Sequence, residues 1–222
     1  MTGPNRRRGM KKHSINFWQL LEFSMIKVWD IGIRLFHWSL VTTFAIAWLT
    51  SDEGMAVHAW VGYVAAGLIA LRLGWGLIGS RYARFSQFVT GPKAALDYLR
   101  ASLAGNEPRY IGHNPAGSVM IVALLVTMSA TVFTGWLALD PARVAMLPAL
   151  PAIVGPAFAE DGEEGGDGSV VGDIHGALAN LMLLLVVLHV AGVVLASRRH
   201  QENLAAAMVT GVKRAPAIGD VA

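Results

Sequence analysis

The chain has 222 residues, of which 54% are hydrophobic and 15% are charged, and its mean hydropathy is +0.48. Such a composition, divided into several long apolar runs, indicates an integral membrane protein rather than a soluble domain. The absence of cysteine excludes disulfides, cysteine-ligated iron–sulfur or zinc sites, and the covalent attachment of a c-type haem. The pI near 9.4 does not indicate nucleic-acid binding, because the basic residues are segregated along the chain as membrane topology requires.

The N-terminal 27 residues form a basic extension with six Lys or Arg residues and one acid, Glu22. Residues 14–23 are mildly amphipathic and could lie on the membrane face. No apolar core ends in a small-residue cleavage site, so we expect no cleavable signal.

Four apolar runs are long enough to cross the ~30 Å hydrocarbon layer. The third opens with Pro115 near its first turn, where a missing N–H costs little. The loop between the first two, residues 51–54, is so short that these helices must be antiparallel neighbours. We predict an all-α membrane protein, with a four-helix transmembrane bundle over residues 28–197 and a C-terminal tail over 198–222. The predicted crossings are about 28–50, 57–78, 114–139 and 170–196.

The connections between the crossings differ in charge. Residues 79–112 hold five basic residues against two acids, and within them residues 92–103 are predicted to form a surface helix. Residues 140–173 hold seven acids and one base, and their apolar middle, 144–158, is too broken by proline to span a membrane. The positive-inside rule therefore predicts that both termini are cytoplasmic and the protein is a multi-pass component of the bacterial inner membrane.

Four histidines lie in or at the ends of these crossings. Fourteen residues separate His175 from His189, which at ~1.5 Å and ~100° per residue places them ~21 Å apart on nearly the same side of one helix. With the predicted topology, His37 matches His189 in depth towards the cytoplasm. His58 matches His175 near the outer surface. The sequence thus predicts two histidine pairs, one towards each side of the membrane.

Two imidazoles on facing helices at one level can ligate a haem iron. A single histidine in a membrane helix more often packs as an interhelical hydrogen-bonding residue, but four that pair by depth favour haem. Zinc fits less well, because ~21 Å separates the two histidines of the last helix. A proton relay would require acidic residues in the middle of the membrane, and the crossings have none between their ends.

Three further residues face the predicted cytoplasmic layer. Arg34 precedes His37 by three residues and so lies on nearly the same face, and Arg72 lies near the cytoplasmic end of the second crossing. Either could pair with the propionates of an inner haem or extend to lipid phosphates. His113, in the segment GHNPAG, could cap the third crossing or donate to a propionate.

Gly117 and Gly135 are eighteen residues apart, about five turns, and therefore share a face of the third crossing. Small residues so placed let a helix or a flat ligand come close. The alternative is that they are ordinary glycines of a membrane helix.

With these residues identified, the chain resembles the bacterial cytochrome b561 family, which includes the b-type cytochrome subunits of nickel–iron hydrogenases. The resemblance covers roughly Lys27 to Arg214 and depends on several segments. These are RLFHW (34–38), His58 with Gly62 and Tyr63, Arg72, GHNPAG (112–117), and the interval between His175 and His189.

The resemblance implies a four-helix electron carrier with two haem b groups. It implies that His37 and His189 bind the cytoplasmic-side haem iron, and that His58 and His175 bind the periplasmic-side haem iron. Residues 200–214 are also similar to a subgroup that accompanies small periplasmic c-type cytochromes.

The leading functional hypothesis is transfer of electrons between membrane quinone and a periplasmic partner, such as a c-type cytochrome with a basic face. The acidic connection would steer that partner. The alternatives are the b subunit of a hydrogenase-type complex, a superoxide:quinone oxidoreductase, and a membrane scaffold without a redox role. The acidic outer face disfavours the superoxide reaction, because that substrate is an anion.

Overall fold

The structure is a computed structural model that describes residues 25–51, 55–140, 142–143 and 170–221. The basic extension up to residue 24, most of the predicted first loop and nearly all of the acidic connection lie outside the described residues. The elements in chain order are β1 (Met25–Lys27), α1 (Ile31–Leu49), α2 (Met55–Ile78), α3 (Phe85–Phe88), α4 (Pro92–Leu103), α5 (Pro115–Ala138), α6 (Val170–Arg199), α7 (Leu204–Thr210) and β2 (Val212–Arg214).

Helices α1, α2, α5 and α6 are long and apolar enough to cross a membrane, which confirms the predicted four-helix membrane protein. Within this bundle α1 packs against α2, α2 against α5, and α5 against α6. Large apolar side chains on the outside of the bundle are exposed, as at Trp60 and Leu71, each 72% accessible. Such surfaces are suited to lipid, because apolar side chains are unfavourable in water and favourable against the hydrocarbon layer.

The first membrane helix begins later than the predicted residue 28, because Asp30 is its N-cap. The Asp30 carboxylate accepts a hydrogen bond from the Ile33 N–H at 2.9 Å, an arrangement that ends the chain's extended path and starts the helix. The N–H groups of Val28 and Trp29 instead donate to the Gly211 carbonyl. These two residues therefore belong to a layer outside the bundle.

The last membrane helix continues to Arg199, three residues beyond its predicted end. Arg198 and Arg199 occupy its final turn, where a positive charge interacts favourably with the helix dipole.

One end of the bundle carries a folded layer, here called the cap, made of residues 25–30, 79–114 and 200–221. Its two strands, β1 and β2, pair antiparallel with Met25 opposite Arg214. The surface helix predicted at residues 92–103 is present as α4 and packs against α5. The cap has an apolar core of Val28, Trp29, Ala83, Ile111 and Ala207, which also includes Ile33 from the first turn of α1.

Candidate functional site

The predicted outer histidines lie close together, His58 near the start of α2 and His175 near the start of α6. Their ring centroids are 5.9 Å apart and their planes are at 85°. Since an imidazole nitrogen binds a first-row metal at ~2.0–2.1 Å, two imidazoles on opposite sides of one metal ion have centroids about 6 Å apart. The separation of His58 and His175 would therefore allow both rings to hold one metal ion.

Hydrogen bonds fix which nitrogen of each outer histidine carries the proton. Nδ1 of His58 lies 2.9 Å from the carbonyl oxygen of Ala47, and Nδ1 of His175 lies 2.9 Å from that of Thr131. A carbonyl only accepts, so each Nδ1 is protonated and donates. Nε2 then keeps its lone pair, and a second interaction that orients the ring in this way is typical of metal-bound histidine.

Gly135 makes room for the His175 ring against α5. A Cβ at this position would lie 2.8 Å from Cε1 and 3.1 Å from Nδ1 of His175, closer than packed atoms approach. The predicted close approach at Gly135 is therefore made by an imidazole. Gly117 has a different environment, because its N–H donates to the capping side chain of Asn114.

The predicted inner pair consists of His37 on α1 and His189 on α6, which lie close enough to interact electrostatically. The His37 ring meets Trp38 edge-on at 5.1 Å. Its Nδ1 is buried and has no hydrogen-bond partner among the described residues. A buried polar atom without a partner is uncommon, and it indicates a group still to be bound.

Both pairs connect helices that do not pack closely. Among the described helices, α6 packs on α5, but α1–α6 and α2–α6 are not close-packed pairs. The His58 ring nevertheless contacts the His175 ring of α6, and His37 lies within electrostatic range of His189. A wider separation between the helices that carry paired histidines suits a flat macrocycle between them.

An apolar layer lies between the two histidine pairs. Its centre is Met182, which is seven residues from both His175 and His189 and packs with Ile69 and Met128 in a buried cluster. Seven residues correspond to ~10 Å along a helix. The layer thus excludes water between the two levels of the bundle.

The number of ligands at each level suits haem better than zinc. Over the part of the chain that the structure describes, no three His, Cys, Asp or Glu side chains gather as metal ligands. Zinc takes three or four protein ligands, whereas haem iron takes its axial ligands from the protein. The residues present fit two bis-histidine haem sites.

Arg72 is a buried cation near His113, which itself interacts with His189. Its side chain is 4% exposed, its guanidinium lies 4.6 Å over the Phe85 ring, and its Nη1 has no hydrogen-bond partner among the described residues. The Asp30 carboxylate interacts electrostatically with Arg72 but accepts no hydrogen bond from Nη1, and a buried cation is costly unless it is both paired and hydrogen-bonded. A haem propionate is an anion that would compensate Arg72.

Arg34, the second predicted propionate ligand, is directed elsewhere. Its Nη1 donates to the Val209 carbonyl at 2.5 Å, so the side chain extends to the C-terminal segment. Only its Nε remains buried without a partner in the described residues.

His113 is not the cap of α5, because Asn114 takes that role. Its ring lies between Trp29 and Phe88, at centroid distances of 4.6 Å and 4.5 Å. Burial, with the nearby charges of Arg72 and Lys213, lowers the pKa of His113 to about 3. The neutral ring has a buried Nδ1 without a partner in the described chain, which suits a hydrogen bond to a haem propionate.

Sequence reasoning missed two kinds of contributing group. The first comprises the backbone carbonyls of Ala47 and Thr131, which side-chain patterns cannot reveal; the only signal was Gly135, one turn after Thr131. The second is Lys213, whose charge acts on His113 from the C-terminal segment. From the sequence, Lys213 is only one of several basic residues on the predicted cytoplasmic side.

Comparison with known proteins agrees with this geometry. The family model described as prokaryotic cytochrome b561 matches residues 28–211, which include all four paired histidines. Searches of curated proteins and of solved structures gave no match. The chain therefore belongs to the prokaryotic cytochrome b561 family, whose members are membrane-integral b-type cytochromes that bind haem b and transfer electrons.

Proposed function

We propose that this protein carries electrons across the bacterial inner membrane on two haem b groups, between the quinone pool and a periplasmic partner. The observation that carries the proposal is the presence of two histidine pairs at two levels of one bundle. In the outer pair, both rings have Nδ1 bonded to a carbonyl and Nε2 available for iron.

Each residue has a defined task in this proposal. His58 and His175 hold the outer haem, and His37 and His189 hold the inner haem. Arg72 and His113 bind the inner propionates. A bound haem supplies a one-electron carrier, and the protein holds it, orients it and excludes water from the layer around Met182.

The cap is proposed to face the cytoplasm. Basic residues of the connection before α5 and of the C-terminal segment belong to this layer, and the positive-inside rule places such segments on the cytoplasmic side. Reporter fusions after residue 105 and after residue 221 would test this. Both should report a cytoplasmic location, and a periplasmic location for either would contradict the orientation.

The two ends of the bundle would meet different partners. One end exchanges electrons with quinone, which is dissolved in the membrane. The acidic connection, residues 140–173, would attract a basic periplasmic protein, such as a c-type cytochrome, and raise its association rate. Replacing the acids between Glu160 and Asp167 with amides should then slow electron exchange with a basic cytochrome at low salt. An unchanged rate would contradict steering.

The first experiment is a reduced-minus-oxidised spectrum of the detergent-purified protein with haem counted by pyridine haemochrome. Two b-type haems per chain are expected. One haem per chain would mean that one histidine pair packs without binding haem. The absence of any haem would contradict the proposal. Addition of a quinol should then reduce the haems, which the spectrum reports. If several quinols fail to reduce them, quinol is excluded as the electron donor.

A further inference from the structure

The cap contains a buried network of four charged side chains, here called the ion network: Arg109, Glu202, Lys213 and Asp220. Their side chains are 3–9% exposed. Arg109 donates to Glu202 through Nη2 at 2.7 Å and through Nε at 3.2 Å, and it also pairs with Asp220. Lys213 Nζ lies 3.3 Å from Glu202 Oε2, the oxygen that also accepts from Arg109 Nε. The network holds two cations and two anions and is therefore neutral as a whole.

The ion network joins the C-terminal segment to the residues that precede α5. Lys213 Nζ donates to the carbonyls of Tyr110 at 3.2 Å and Ile111 at 3.0 Å. The Ile111 N–H donates to the Val221 carbonyl, and the Val221 N–H donates to the Arg109 carbonyl. Residues 109–111 are thus held from both sides, and Ile111 is fully buried.

This held segment leads directly to His113, two residues beyond Ile111. His113 in turn interacts electrostatically with Lys213, Arg72 and His189. Lys213 therefore combines two properties: it binds the backbone that positions His113, and it places a buried positive charge close to His113, which itself interacts with His189.

Stability alone is a poor reason for such a network. Buried ion pairs often contribute no more than apolar residues of similar volume, because taking the charges out of water is costly. Burial lowers the pKa of Lys213, and the neighbouring Glu202 carboxylate opposes that effect. A cation kept in so costly a place is better explained by an electrostatic task.

We propose that Lys213 is a positioning residue for the inner haem site. Lys213 holds the segment that carries His113, and its positive charge raises the reduction potential of the inner haem. The inference rests on the proposed function, because it requires a haem at His37 and His189. Lys213 lies just beyond residues 28–211, the span that matches the family.

The test is a spectroscopic redox titration of purified Lys213→Met, Lys213→Arg and Glu202→Gln proteins. Removing Lys213 leaves the ion network with a net negative charge, so the inner haem should titrate at lower potential. Glu202→Gln leaves a net positive charge, so the same haem should titrate at higher potential. Lys213→Arg should restore the wild-type value, and the outer haem should stay unchanged throughout.

Opposite shifts distinguish electrostatics from loosening, which would move both variants in the same direction. His189→Leu identifies which titration step belongs to the inner haem. Lys93→Met is the matched control, because Lys93 is an exposed cap lysine that pairs with Asp97 on α4, and it should shift neither step. If Lys213→Met does not fold, the higher potential expected for the inner haem of Glu202→Gln still tests the proposal.

A second measurement does not depend on haem. Backbone hydrogen exchange at residues 110–113 should be on the order of tenfold faster in Lys213→Met, because two hydrogen bonds from a charged donor are lost. Unchanged exchange, unchanged potentials, or equal shifts at both haems would overturn the proposal. A wild-type protein with fewer than two haems would instead contradict the proposed function. The haem count of the wild-type protein is therefore measured before any variant is tested.

Discussion

His58 and His175 face each other from α2 and α6 with ring centroids 5.9 Å apart, and each donates its Nδ1 proton to a backbone carbonyl of a neighbouring helix. The acceptors are Ala47 on α1 and Thr131 on α5. All four membrane helices therefore contribute to this one pair, two with a ring and two with a carbonyl. The outer site is preorganised, since each ring is fixed in rotation and in tautomer before any metal binds.

Single substitutions should remove the haems one at a time. In His175→Leu the outer haem should be lost and the inner one kept, and in His189→Leu the reverse should occur. The reason is that Met182 and its apolar neighbours separate the two levels, so each site has its own ligands. Pyridine haemochrome counts should fall from two per chain to one in each variant. Equal loss of both haems in either variant would show that the pairing is wrong or that the bundle collapses.

Gly135→Ala should selectively weaken the outer site. The new Cβ would lie 2.8 Å from His175 Cε1, so the ring must move and its hydrogen bond to Thr131 must lengthen. Haem content should fall from two towards one per chain. Gly67→Ala is the matched control, because a Cβ on Gly67 in α2 meets nothing within 4 Å. Equal haem content in the two variants would contradict the role assigned to Gly135.

Asp30→Ala should loosen the junction between α1 and the cap. Its carboxylate accepts from Ile33 N–H, Trp75 Nε1 and Ser80 Oγ, and loss of an N-cap alone costs about 1 kcal/mol. The apparent melting temperature in detergent should fall by several degrees, about 2–4 °C per kcal/mol for a chain of this size. Thr50→Ala at the other end of α1 is the control and should have a smaller effect.

Acid should remove the contribution of Asp30 only at low pH. Burial raises the pKa of this carboxyl, but the hydrogen bonds from Ser80, Ile33 and Trp75 outweigh it and hold the pKa below its ordinary value of 3.8. A lowered carboxyl pKa stabilises the fold fully above the ordinary value, and that stabilisation is lost as the pH falls through the lowered one. The melting difference between wild type and Asp30→Ala should therefore be constant from pH 5 to pH 7. A difference that disappears within that interval would contradict the assignment.

The membrane helices and the histidine pairs could be predicted because they depend on local features. Apolar length predicts a crossing, and the interval from His175 to His189 predicts one side of a helix at two depths. The surface helix α4 of the cap could be predicted, but the assembly of the cap could not, because its contacts join residues far apart in the chain, such as Arg109 with Asp220. In the sequence, Lys213 cannot be distinguished from any other basic residue on the predicted cytoplasmic side, and only the fold shows that it is buried.

Mild acid should leave the cap intact, and stronger acid should release it. Burial raises the pKa of Glu202 and of Asp220, yet hydrogen bonds and the charge of Arg109 outweigh this and hold both below their ordinary values of 4.5 and 3.8. The stabilisation from both carboxylates is therefore fully present above pH 4.5 and is lost as the pH falls through the lowered values. Hydrogen exchange of residues 212–221, corrected for intrinsic rates, should stay slow at pH 5 and accelerate below pH 4.

Glu202→Gln should weaken this protection already at pH 5, because a neutral amide cannot balance Arg109 and Lys213 together. Glu107→Gln is the matched comparison, since Glu107 pairs with the more exposed Arg199 at the edge of the cap, and protection of residues 212–221 should change less. Protection that persists unchanged at pH 3 would show that apolar contacts around Ile111, rather than the ion network, hold the C-terminal segment in place.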